Sequence, residues 1–153
     1  MNPCDIVFSD SIPILASVLK IFGEPWGHVS LAVGNGEFIG AEAEGITKRQ
    51  MHPWEIEKHE VLRHPLLSNG CIASAKILEW ANSKVGLPIY DYAQLLGFAL
   101  NLDVHHDGWW VCSAFVYEAY RQAGIQLLNR IKPWMVRTQH LYYTPGLESV
   151  EGR

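Results

Sequence analysis

Apolar and polar residues alternate most regularly between Trp26 and Glu42, where Val29, Leu31 and Val33 are separated by smaller or polar residues. That period-two pattern predicts a half-buried strand. Gly34-Asn35-Gly36 is a tight-turn signal and Phe38-Ile39 opens a second strand, so the segment reads as a β-hairpin. Ile46 to Met51 extends it as a further strand. Upstream, Cys4 to Phe8 reads as a short strand, and Pro13 to Phe22 carries a helical stripe of Ile14, Leu15, Val18 and Ile21 with Ser11 as its cap. His52-Pro53-Trp54-Glu55 opens a brief helical turn, and Glu60 to Arg63 reads as another strand.

The second half of the chain is more helical. Ser68 to Val85 predicts an amphipathic helix with Ile72, Ala75, Leu78 and Ala81 on its apolar side, stopped by Gly86. Tyr90 to Leu100 predicts another helix, followed by a loop carrying His105, His106 and Asp107. A third begins at Cys112-Ser113 and ends at Gly124, with Phe115, Ala119 and Gln122-Ala123 on one side and Val116 and Tyr120 beside them. The remaining tail reads as irregular and aromatic, packed on the domain, with residues 148–153 frayed. The sum is α+β, a small antiparallel sheet with helices packed against it.

Chemistry enters at the helix start. A thiol at a helix N-terminus meets the positive end of the helix dipole and free backbone N–H groups, which favour the nucleophilic thiolate. Cys112 occupies that position, after an Asp107-Gly108 turn and the Trp109-Trp110 pair. A lone cysteine among aromatic residues is, on residue type alone, more often an inert packed thiol. His28 alters that balance: it stands at the start of the first hairpin strand, on the Ser30/Ala32 face. Glu42, near the end of the second strand, is brought back to the level of His28 by antiparallel pairing. A thiol, an imidazole and a carboxylate that orients the ring are the parts of an activated cysteine nucleophile. Glu44 lies two residues on and shares the parity of Glu42 in a continuous strand, so spacing alone does not choose between them.

The order Asp5-Ile6-Val7-Phe8, Gly27-His28-Val29, Glu42-Ala43 with Gly45-Ile46, Tyr90-Asp91 and Cys112-Ser113 resembles the circularly permuted NlpC-type papain-like hydrolases. That group includes YiiX-like bacterial proteins and, more distantly, the lecithin retinol acyltransferases. The resemblance runs from about Asp5 to Gly124, and its most specific piece is the Cys-Ser pair opening a helix of the form Cys-Ser-x-Phe-Val-x-x-Ala-Tyr. It implies a single papain-like hydrolase domain over residues 1–153, with Cys112 as nucleophile, His28 as general base and Glu42 as the residue that orients the ring. Glu42 is preferred to Glu44 because a small residue and a Gly-hydrophobic pair follow it. One departure stands at Cys4, where the family commonly has glycine before Asp-Ile.

The implied reaction is attack of Cys112 on a carbonyl carbon, with an acyl-enzyme intermediate and no cofactor. The oxyanion would meet backbone N–H groups at Cys112 or Ser113. Tyr92, or Tyr90, is a further candidate for a pocket hydroxyl, and Trp26 and Trp110 (with Trp109) for an apolar pocket wall; a core role is the commoner fate of such aromatics. The expected substrate is a peptide, a peptidoglycan fragment or an acyl-lipid, cleaved at an amide or at an ester or thioester. An inactive binding module of the same fold, or a lipid acyltransferase or thioesterase, is the alternative.

Composition narrows the field. A net charge of −4 supplies no basic patch for nucleic acid, and Lys48-Arg49 is too short a cluster to alter that. The longest apolar run, Ile12 to Leu19, is far below the roughly 20 residues that span a bilayer. No basic n-region precedes that run, and the three cysteines are widely spaced, so a cytoplasmic, reducing setting is expected. Seven histidines invite a metal, but His105-His106 are adjacent, and His52, His59 and His64 are interrupted by prolines and read as solvated loop positions. Ligand spacing of the usual kind is missing, so no metal is expected.

Overall fold

The computed structural model describes residues 1–10, 23, 25–67, 71–88, 91–94, 97, 102 and 104–152. The expected helix over 13–22, the start of the next helix at Ser68, and Tyr90 with most of the 90–100 helix lie outside the described residues; 92–94 are helical. Among the described residues, six strands form one sheet: β1 (Ile6–Ser9), β2 (His28–Gly34), β3 (Glu37–Glu42), β4 (Gly45–Gln50), β5 (His59–Arg63) and β6 (Glu148–Gly152). Their order is β4-β3-β2-β1-β5-β6, and every neighbouring pair is antiparallel. Among the described residues, the helices with both ends defined are α1 (Pro53–Glu57), α2 (Ile72–Lys84), α3 (Cys112–Gln122) and α4 (Thr138–Tyr142), with a 3-10 turn at Pro133–Met135 before α4. The architecture is α+β.

The hairpin follows from its turn. Asn35 and Gly36 both have positive φ, the conformation a two-residue turn between right-twisted strands requires. Leu31 faces Ile39 and Ala32 faces Phe38, and continuing that register sets Ser30 opposite Gly40 and His28 opposite Glu42. Alternation divides the sheet. Ile6, Phe8, Val29, Leu31, Ile39 and Ala41 join the main core, whereas Val7, Ala32, Phe38 and Val61 form a small cluster on the other face.

α3 packs against β2 and β3 and brings Phe115, Val116, Ala119 and Tyr120 into the main core. It is buried without a break from Cys112 to Tyr120, whereas Gln122, expected on its inner side, is exposed. The reason is that α2, the 3-10 turn and α4 cover the sides the sheet leaves open. In α2 the buried positions are Ser74, Ile77 and Ala81, and Ile72 is 78% exposed, so the inner face is rotated from the one predicted. The Cys71 side chain caps this helix by accepting from the Ser74 N–H.

Two expectations for the tail and one for the histidines need correction. Residues 148–152 form an edge strand paired to β5 instead of fraying, with Glu148 opposite Arg63 and Gly152 opposite Glu60. The tail before it holds the 3-10 turn and α4, not irregular chain. His59 opens β5 instead of lying in a loop.

Candidate active site

His28 begins β2, Glu42 ends β3 and Cys112 begins α3, so three different elements deliver the three groups by their termini. His28 Nε2 lies 3.2 Å from Glu42 Oε1, with the imidazole 8% and the carboxylate 19% exposed. The approach is that of an ion pair, off the line of a well-formed hydrogen bond. The Cys112 thiol hydrogen-bonds the same ring. Burial alone would hold the imidazole neutral; the Cys112 bond and then the Glu42 carboxylate outweigh it and push the His28 pKa up to about 10. Glu42 moves the other way. Burial would raise it, but His28 and Arg49 bring it down to about 2.

The strand carrying Glu42 passes close beside the ring at Gly40. A Cβ on Gly40 would sit 3.4 Å from His28 Nε2 and 3.3 Å from the Ser30 Cβ. Glu44 falls in the exposed turn after Glu42, because β3 ends there; the continuous strand that made the two glutamates equivalent is absent.

A second tier lies behind the carboxylate. Arg49 donates from Nε (3.0 Å) and Nη2 (2.7 Å) to Glu42 Oε1, and from Nη1 (2.7 Å) and Nη2 (3.0 Å) to Glu55. Glu55 is buried on α1, where it also accepts from the His52 N–H and from the Ser9 hydroxyl. Ser9 is the register partner of His28 on β1, so the chain of contacts closes on the strand it started from. The sequence reading missed Arg49, Glu55 and Ser9. The signal existed: Arg49 pairs with Phe38, which places it on the Gly40/Glu42 face of β4.

The remaining candidates have structural partners. The Ser113 hydroxyl donates to the Val136 carbonyl at 2.7 Å, leaving the backbone N–H groups as the donors at this helix start. Tyr92 donates to the Ala43 carbonyl at 3.0 Å, which ties it to the β3–β4 turn. Trp26 is buried in the main core against Tyr142. Trp110 packs edge-on to Trp80 and Phe115, and Trp109 is 42% exposed. His105 stacks on Trp134, and His106 contacts the fully buried Asp91. Cys4 is 1% exposed, and burial pushes its pKa up to about 12. Its φ of +70° is in the left-handed region that favours glycine.

No model of a known protein family matches the sequence, and no curated protein matches it. Among solved structures, the chain is similar to the crystal structure of the metalloprotein YiiX from Escherichia coli O157:H7 (DUF1105). The TM-score is 0.73 at 17% identity, over 99% of this chain and 97% of that one. The two share a fold.

Proposed function

We propose that this protein is a cysteine hydrolase of the permuted papain-like type, acting through Cys112, His28 and Glu42. The observation that carries the reading is the convergence of a thiol, an imidazole and a carboxylate from three element termini, with the imidazole stabilised in its protonated form. A protonated ring in contact with a cysteine is the partner a thiolate needs. With Nε2 turned to Glu42, Nδ1 is the nitrogen that exchanges a proton with the sulfur.

The reaction follows from these parts. The Cys112 thiolate adds to the carbonyl carbon of an amide, ester or thioester, and the carbonyl π electrons move to oxygen. Backbone N–H groups at the start of α3 receive that oxyanion. As the tetrahedral adduct collapses, the leaving nitrogen, oxygen or sulfur takes the His28 proton and departs, leaving a thioester. Water then adds, giving one proton to the now neutral ring, and the carboxylic acid leaves as the thiolate–imidazolium pair is restored. Glu42 holds the ring and compensates its charge throughout. Peptides, peptidoglycan fragments and acyl-lipids all offer the required carbonyl, and an acceptor other than water would make the same site an acyltransferase.

The shared fold with a metalloprotein raises a second reading, a cation held by the same donors. The residues fit it poorly. Two nitrogens of the Arg49 guanidinium already occupy Glu42 Oε1, so a cation at that oxygen would face a positive charge at hydrogen-bond distance.

Alkylation by iodoacetamide at neutral pH, read by peptide mass spectrometry, tests the proposal. Cys112 of the folded protein should be modified at least tenfold faster than Cys4, and His28→Ala should remove that advantage. A Cys112 that reacts only after unfolding, or whose rate ignores His28→Ala, overturns it.

A further inference from the structure

A cavity of about 490 Å³ is lined by Gly97, Leu102 and Val104 together with residues of the stretch 130–140. Among its described lining residues the charged ones are Arg130, Lys132 and Arg137, with His140, and none is acidic. The wall is built firmly. Trp134 has its carbonyl bonded by the Gln94 amide, His105 stacked on its ring at 4.0 Å and Lys132 Nζ 5.3 Å from its centroid. The Arg137 N–H donates to His140 Nδ1 at 3.1 Å, which fixes the far end.

The wall is also fixed to the proposed nucleophile. Val136 lies between the lining residues Met135 and Arg137, and its carbonyl accepts from Ser113, the neighbour of Cys112. With ~3.8 Å between consecutive Cα atoms, that contact puts the Arg137 backbone within roughly 12 Å of the Cys112 backbone. A substrate acylating Cys112 would then need only a short arm to reach the cations.

We propose that this cavity is an anion-binding subsite that takes a phosphate group of the substrate. A dianion suits a wall that carries Arg130, Lys132 and Arg137 better than a single carboxylate does, and arginine offers a planar fork for its oxygens. The subsite assignment rests on Cys112 being the nucleophile; the binding of phosphate does not.

The test is a titration of the full chain with inorganic phosphate at low salt, followed by amide NMR, with acetate as the carboxylate arm. Saturable shifts confined to the amides around residues 130–140, at least tenfold tighter for phosphate, are expected. Arg130→Gln with Lys132→Ala should weaken phosphate at least tenfold while leaving the rest of the spectrum in place. Lys132→Ala alone, threefold or more weaker, serves if the double variant fails to fold. Absence of saturable shifts, equal binding by the variants, or preference for acetate overturns the phosphate site. Sedimentation with phosphatidylcholine vesicles, with and without phosphatidic acid, separates the sources: pelleting only with phosphatidic acid supports a lipid phosphate, and none supports a soluble one. Phosphate should also slow Cys112 alkylation by iodoacetate. If phosphate binds and Cys112 is inert, the anion site stands and the hydrolase reading falls; if Cys112 is reactive and phosphate does not bind, the reverse holds.

Discussion

At the scale of single residues, Arg49 is the group whose removal is most informative. It spans Glu42 and the buried Glu55, so Arg49→Met leaves a carboxylate 4% exposed without its cation. Breaking a pair of that kind costs roughly 3 kcal/mol. Thermal unfolding should show that loss, and Glu55→Gln in the same chain should restore most of it. Arg49 touches no reacting atom and is a positioning residue. Its second readout is therefore the pH profile of Cys112 alkylation, which should move in Arg49→Met and stay moved when Glu55→Gln restores stability. The ring it supports has its own pH signature. His28 titrates near 10 folded against about 6.5 unfolded. Its contribution to stability is thus complete below about pH 6.5 and lost as pH rises towards 10. Glu42, at about 2 folded against about 4.5 unfolded, contributes fully above 4.5 and loses its share as pH falls towards 2. Urea titrations of wild type and His28→Ala should give a gap that narrows between pH 6.5 and 10; a constant gap would remove the charged pair. Among these residues, the sequence disclosed those that sit at element termini. His28, Glu42 and Cys112 each stand beside a local signal, a glycine or a turn or a helix start, whereas Arg49 is legible only once the β3–β4 register is known.

At the scale of elements, the hairpin and its third strand were legible because turn chemistry and alternation agree over β2, β3 and β4. The helices were less so. α2 buries Ser74, Ile77 and Ala81, a face that competes with the Ile72/Ala75/Leu78 row in hydrophobicity, and tertiary contacts choose between them. α3 is covered on several sides, so an amphipathic reading was the wrong template for it. Glu42 depends on the β3–β4 turn for its position, and that turn has one unyielding point. Gly45 has a φ of +121°, and a Cβ there would lie 2.1 Å from the Leu87 carbonyl oxygen. That same oxygen accepts from the Ile46 N–H. Gly45→Ala combines backbone strain with a backbone overlap, and should cost at least about 2 kcal/mol. Because the turn follows Glu42 directly, it should also slow Cys112 alkylation in the fraction that folds. Gly108→Ala, with a positive φ of +80° and nothing within 4 Å of the added carbon, gives backbone strain without the overlap and should cost less.

At the scale of the whole molecule, the sheet separates what holds the fold from what performs the chemistry. β1 lies between β2 and β5, and Asp5, just before it, is clamped by two hydrogen bonds of 2.8 Å from Arg63 of β5. The candidate triad occupies the β2–β3 side with α3, and β6 closes the opposite edge against β5. β6 escaped the sequence reading because Glu148-Ser149-Val150-Glu151-Gly152 offers one large apolar side chain and no alternation. Such a strand is recruited by the backbone hydrogen bonds of a waiting edge and not by its own side chains. Deleting residues 148–153 should therefore separate stability from chemistry. The uncovered edge of β5 should lower the midpoint of thermal unfolding and promote self-association at high protein concentration. In the folded fraction, Cys112 should keep its alkylation rate relative to Cys4, since β5 and β1 still stand between the lost strand and β2. A truncated chain that stays folded but loses the Cys112 advantage would mean that the triad depends on the far edge, and that the sheet transmits strain across its full width.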